Sequence, residues 1–323
     1  MGGGASIRLH PTQKSNTELV NSFRGNFTAH TELTNGNGYA HLNGDGPVHA
    51  TYKSWTHMAD DGRNELEIPT IDFQNSGLLE ERDQYDITVK LFYLPGAPIA
   101  KREVQTREAV KLVLKELHMP SIDLLIISFP GIYFDEEEDC PDKISTRGPI
   151  EAEPEPLESQ IKTWKVLEAL KEEGVVKKLG IAEFGHDRLQ SFLENTTIRP
   201  SVDQINLRDC CSVPKSLLKL AKSQNVELLV HNDCSNVLPR GTVRELLGPV
   251  EKGGAGVLVE STKTGDKRKS LHIEDQKNGV KGGDGEALRG EVQPLWVVKY
   301  TAVVKNRGVV ENKGYFAVAE LSD

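Results

Sequence analysis

Ser201–Asp233 reads SVDQINLRDCCSVPKSLLKLAKSQNVELLVHND, and its pattern is strand, helix, strand. Ser201–Leu207 is a short apolar run with β-branched residues. Ser212 and Pro214 mark a helix start, and Leu217, Leu218, Leu220 and Ala221 give that helix an apolar stripe. Val226–Val230 is a second apolar run, expected to be buried, and it stops in the polar cluster His231, Asn232, Asp233. Strands joined by a helical crossover run parallel and leave functional groups at their C-terminal ends. Those ends carry Asn206 with the Cys210–Cys211 pair, and His231, Asn232 and Asp233. Recognition is expected at that edge.

Upstream the same rhythm repeats. Leu179–Phe184 is a strand, Leu189–Leu193 belongs to a helix, and Leu157–Glu173 is a long amphipathic helix closed by Gly174. Leu124–Phe129 is continuously apolar, as in a strand covered on both faces. Arg107–Met119 places Val110, Val113, Leu114 and Leu117 on one helical face. In Asp86–Tyr93, Ile87, Val89, Leu91 and Tyr93 alternate with Thr88, Lys90 and Phe92. Between these elements, Gly131–Pro156 carries FDEEEDCPDK and EAEPEP. Lacking turn glycines at cation-ligand spacing, it reads as a solvated loop.

Downstream, Thr242–Leu247 is a helical fragment. Glu251–Glu291 is dense in Gly, Lys, Asp and Glu and reads as an inserted low-complexity segment. The chain recovers at PLWVVKYTAVVKNRGVVENKGYFAVAEL, where Leu295–Val304 suits a strand by its β-branching and a helix by its length. Residues 1–60, with the Asn/Gly-rich Thr34–Gly46, read as a divergent, partly disordered N-terminal part. Repeated strand–helix alternation without a G-x-G-x-x-G loop favours an α/β chain folded as a (β/α)8 barrel over 61–323, with the insertion at 251–291.

Composition narrows the function classes. The 323 residues are 37% apolar with a formal net charge of −9, which disfavours nucleic-acid binding, since that requires a basic face. No apolar run approaches the ~20 residues of a membrane span. MGGGASIRLH has no signal-peptide core, although it fits the loose myristoylation pattern at Gly2 and Ser6. Four cysteines are too few for a disulfide framework, and none has zinc-site spacing. The expectation is a cytoplasmic, reduced, metal-free protein.

ITVKLFY, IDLLIISFP, WKVLEALKEEGVVKKLGIAEF and VDQINL, in this order and spacing, resemble the aldo-keto reductase barrel. QINLRDCC, LLVHND and PLWVVKYTAVVKNRGVVENKGY are similar to one branch of that superfamily, the regulatory (modifier, light) subunits of glutamate–cysteine ligase. The resemblance covers roughly 86–233 and 294–318. A reductase of this family takes hydride from NADPH and needs a tyrosine as proton donor, a neighbouring lysine that lowers its pKa, an aspartate that holds the lysine, and a histidine after the fourth strand. Lys90 matches the lysine, but Ser128 stands for the histidine, and no Asp–Tyr pair precedes Lys90 in an apolar strand. The Ser–Asn that grips the carboxamide is Ala182–Glu183, Gln204 matches the carboxamide glutamine, His231 replaces the stacking tyrosine, and Lys313 falls near the phosphate-binding lysine.

The resemblance therefore implies no catalytic set. It implies a degenerate cofactor site at Lys90, Gln204 and Lys313 that leaves room for residual NADP binding, and a heterodimer with the catalytic (heavy) subunit of glutamate–cysteine ligase. Partner contacts are expected at Asn206, Cys210, Cys211, His231, Asn232 and Asp233. The alternative is an NADPH-dependent reductase with an atypical donor. Plainer roles compete at each position: Lys90 as a carboxylate-paired barrel lysine, His231 as a hydrogen-bonded edge residue, Cys210–Cys211 as small apolar fillers or a mixed-disulfide pair, and Trp164 and Trp296 as core.

Overall fold

The structure, a computed structural model, describes residues 16–36, 51–59, 64–134, 153–207, 212–234, 236–259 and 287–322. These fall into two compact units, one of Met1–Ser22, Asp72–Pro239 and Gln293–Glu320, the other of Phe23–Ile71, Arg240–Val292 and Leu321–Asp323. Helix α1 (Asn16–Gly36) runs from the first unit into the second. There Phe27, stacked on Phe23, also meets Trp55 at 5.9 Å between ring centroids. A short antiparallel ribbon of β1 (His57–Met58) and β2 (Leu66–Glu67) completes this part of the second unit.

The first unit is built on β3 (Tyr85–Tyr93), α2 (Arg102–Leu117), β4 (Ile122–Ser128), α3 (Leu157–Glu172), β5 (Val176–Ala182), α4 (His186–Glu194), β6 (Val202–Ile205), α5 (Lys215–Gln224) and β7 (Glu227–Val230). The five strands are parallel, each hydrogen-bonded to the next in chain order. Alternation makes β3 two-faced. Tyr85, Ile87, Val89 and Leu91 are buried on the side that α2 covers with Ala109, Val110, Val113 and Leu117. Thr88, Lys90 and Phe92 face the other way. Trp164 and Trp296 are wholly buried; Trp164 donates its indole N–H to Ile198 O at 2.8 Å and meets Phe192 edge-on at 5.1 Å. Gly180 allows β5 to lie close to its neighbours, because a Cβ there would stand 3.0 Å from Ile126 Cγ1 and 3.3 Å from Val202 O. At the N-terminal edge Asp123 accepts from Arg82, Lys177 and the Ile87 N–H, each at 2.8 Å. Burial pushes this carboxyl up, but those donors outweigh it and hold it below the ordinary range.

Helix α6 (Arg240–Leu247) belongs to the second unit, where Leu258 and Leu288 pair as an isolated bridge and bring the described ends of the 251–291 insertion together. The chain then forms β8 (Glu291–Val304) and β9 (Val309–Ser322), joined through a turn with Gly308 at φ +61°. The stretch that suited strand or helix equally is thus a strand. It runs antiparallel to β3 from Tyr85↔Val304 to Tyr93↔Trp296.

The sheet order is β7-β6-β5-β4-β3-β8-β9. Among the described residues it has seven strands and is not closed, five of them forming the parallel series expected of the barrel. Two expectations are corrected. Val226–Val230 is not a buried run: β7 is an edge strand whose Val230 is 61% exposed. Of the predicted stripe on α5, Leu217 and Ala221 are buried, whereas Leu218 is 47% exposed, because the next helical residue points about 100° away.

Candidate functional site

On the inner face of the parallel sheet, Lys90 projects from the middle of β3 and is 4% exposed. An ammonium has three donors, and here three acceptors meet them: Gln204 Oε1 at 2.9 Å, His231 Nδ1 at 3.3 Å and Asp233 Oδ2 at 3.5 Å. None is a phenol. The hydroxyls of Tyr85, Tyr93 and Tyr300 are engaged by Glu311, by Arg102 O with Thr106, and by Glu116. Parallel pairing explains the convergence, since Lys90 lies on β3, Gln204 on β6 and His231 directly after β7, strands whose exits lie on one edge.

Two further side chains complete the cluster. Lys299, cross-strand from Lys90 on β8, donates to Asp233 Oδ1 at 3.1 Å. Glu183, just past β5 and 3% exposed, brings Oε1 to 2.7 Å from His231 Nε2. That approach is at ion-pair distance but is not a hydrogen bond: among the described residues Nε2 has no hydrogen-bond partner. Formally two lysines face two carboxylates, so the cluster is self-neutralised. Burial pulls the Lys90 ammonium down against the upward pull of Asp233 and Glu183. Burial pushes the Asp233 carboxyl up, but the Lys90 and Lys299 ammonium groups outweigh it and hold it far below the carboxylate range. Asp203, on β6 and fully buried, receives among the described residues the Phe184 N–H at 3.4 Å, and burial raises its carboxyl well above the usual value.

The structure brings Lys90, Gln204, His231 and Asp233 together, and Asn206 joins them by donating Nδ2 to Asp233 O at 3.1 Å. Asn232 lies beside them with its side chain exposed. Lys313 is not brought there: it sits on β9, the strand at the far edge from β7, and pairs with Glu18 at 2.8 Å. Cys210 and Cys211 lie outside the described residues. Sequence reasoning missed Lys299 as a member of the cluster. Its signal was a lysine interrupting the apolar alternation of WVVKY. Glu183 was read as a substitution in a cofactor grip, not as a partner of His231.

Residues 74–244, more than half of the chain, match the aldo/keto reductase family. The chain belongs to that family. Two relatives extend the likeness. A Schizosaccharomyces pombe protein, provisionally named a glutamate–cysteine ligase regulatory subunit, is 28% identical over 73% of this chain and 71% of its own. The Homo sapiens glutamate–cysteine ligase regulatory subunit is 24% identical over 75% of this chain and 68% of its own. The resemblance to that branch is thereby borne out. Among solved structures, aldose reductase from Schistosoma japonicum aligns with 24% identity and a TM-score of 0.33. The chain spans under half of that structure's length.

For this member of the aldo/keto reductase family the implied cofactor is a nicotinamide dinucleotide, and the residues present fit it poorly. The serine–asparagine grip is a methyl group at Ala182 and a carboxylate at Glu183, and that carboxylate is already bound to the Phe134 N–H at 2.6 Å. The Gln204 carbonyl is taken by Lys90. Among the described residues no group of three or more His, Cys, Asp or Glu side chains is placed to hold a metal ion, and no described helix is long and apolar enough to cross a membrane.

Proposed function

We propose that this chain is a non-catalytic regulatory subunit. It binds the catalytic subunit of glutamate–cysteine ligase as a heterodimer in the cytoplasm, and tunes that partner's substrate affinity and its feedback inhibition by glutathione. The relatives bearing that name support the assignment. The observation that carries the non-catalytic half is the flank of β3. In the parallel series each strand lies beside its predecessor in the chain, so a strand preceding β3 would be the natural carrier of a tyrosine and an aspartate for Lys90. That flank is filled by β8, coming from the C-terminal end of the chain, and it presents Lys299. The Lys299 ammonium is committed to Asp233 at 3.1 Å, and neither the phenol nor the supporting aspartate of the reductase set stands beside Lys90 on that flank. With the carboxamide grip replaced by Glu183, the chain works without a bound dinucleotide.

Tuning requires that the chain bind one conformation of the catalytic subunit better than another. The rim Asn206, His231–Asp233 is the proposed contact, with Cys210 and Cys211 beyond the described residues. The test has two arms. Co-expression with the catalytic subunit should give a co-purifying complex with a raised inhibition constant for glutathione. The purified chain with NADPH and a panel of aldehydes should show no oxidation of NADPH. Turnover would favour the reductase alternative, to which the buried Lys90 beside Gln204 otherwise lends itself.

A further inference from the structure

We propose that Glu183 is the positioning residue of this rim: its carboxylate holds His231 in one ring tautomer, and that ring in turn fixes the backbone of Asp233. The proposal rests on the reading above only for what the rim is used for.

Glu183 has φ +69°. L side chains adopt this conformation only where the surroundings over-determine it, and such residues cluster at functional sites. Of the other described non-glycine residues in this conformation, His118 and Asn225 are ordinary helix C-caps and Asn64 is of a residue type that tolerates it. Glu183 caps nothing. Its N–H donates to Gln204 O at 2.8 Å, its carbonyl accepts from Arg188 Nη1 at 2.9 Å, and Arg188 also donates to Tyr133 O at 3.0 Å. The twisted backbone turns the side chain inward, where Oε2 accepts the Phe134 N–H. Oε1 is then left 2.7 Å from His231 Nε2.

On the far side of the ring, Nδ1 accepts the Asp233 N–H at 3.1 Å and faces Lys90 Nζ at 3.3 Å. A ring nitrogen that accepts a backbone N–H carries no proton of its own, so the neutral ring bears its hydrogen on Nε2, the nitrogen that the Glu183 carboxylate approaches at 2.7 Å without hydrogen-bond alignment. The other charged groups around the ring are Asp233, Lys299 and Asp203. Asp233 approaches the ring on its Nδ1 side, with Oδ2 at 3.8 Å, and Lys299 is turned to Asp233. Glu183 thus favours the tautomer that the Asp233 N–H requires, and ties the exits of β5, β6 and β7 together.

Glu183→Gln separates this role from space filling. The amide oxygen is claimed by the Phe134 N–H, so the NH2 group meets Nε2–H, donor against donor. The ring must move its proton to Nδ1 or turn away, and either change releases the Asp233 N–H. In the full chain labelled with 15N, ring spectra should report Nε2–H in the wild type and a changed tautomer in Glu183→Gln. Amide exchange at Asp233 should speed up about tenfold, roughly the worth of one hydrogen bond, with no change in amides of the β3–β4 core. Affinity for the catalytic subunit should fall by a similar factor. His231→Phe keeps a ring but removes both nitrogens, and adding Glu183→Gln to it should not accelerate Asp233 exchange further. An Nδ1–H tautomer in the wild type, unchanged exchange in Glu183→Gln, or additive effects in the double variant would overturn the proposal. A wild-type chain that does not bind the catalytic subunit would instead sink the proposed function, while the spectra of the isolated chain would still decide the role of Glu183.

Discussion

Asp233 sits between two lysines that face each other across adjacent strands, with Oδ2 toward Lys90 and Oδ1 toward Lys299. Removing one member of a buried charge cluster strands the others. Asp233→Asn is therefore expected to destabilise the chain by about 3 kcal/mol, read from urea unfolding at pH 7. The sign with pH follows from a folded-state carboxyl held below its unfolded value. The contribution is present above the unfolded pKa of about 3.9, and is lost as pH falls through that value toward the folded one. The gap between wild type and variant should narrow in acid. Asp203 is the opposite case, a carboxyl raised by burial, so its ionisation opposes folding as pH climbs above about 4. Asp203→Asn should raise the melting temperature, by more at pH 7.5 than at pH 4.5; an equal gain at both would refute the assignment. Residue types flagged this cluster only partly. Lys90 stood out as a polar group within a strand, and His231 and Asp233 as polar groups just past one, whereas Glu183 needed a left-handed backbone that nothing in IAEF announces.

Helix α5 and strand β7 separate what periodicity tells from what packing decides. The apolar positions of LLKLAK mark a helix, and a helix forms, yet only Leu217 and Ala221 reach the core. Leu217→Ala should cost about 3 kcal/mol, against less than about 0.5 kcal/mol for the exposed Leu218→Ala, both measured by chemical unfolding. The β7 run was legible as a strand but not as an edge. Its apolar residues suit either position, and the difference lies in whether a further strand sits beside it. In β5, Gly180→Ala presses a methyl to 3.0 Å from Ile126 Cγ1. An overpacking loss of about 1 kcal/mol is expected; an unchanged midpoint would mean that Ile126 yields freely.

At the scale of the whole molecule, β8 matters most, because it covers the edge of β3 along nine paired residues. Deleting 291–322 should uncover that edge and remove Lys299 from Asp233, leaving a chain that aggregates and loses cooperative thermal unfolding. A soluble, cooperatively melting truncation would contradict this. Local pattern was sufficient for the parallel series. Alternation in β3, the continuous apolar run of β4 and the amphipathic helices between strands are short-range consequences of burying one face, so the α/β class and the order β3 to β7 follow from the chain itself, as do the acidic surface and the absence of an Asp–Tyr pair before Lys90. That β8 returns antiparallel to flank β3, that Lys299 meets Lys90 through Asp233, and that Glu183 clasps His231 were decided by tertiary structure alone. Those contacts join residues from about 50 to 220 positions apart, and the choice among partners at that separation is made by packing and charge balance in the folded state, which no local pattern encodes.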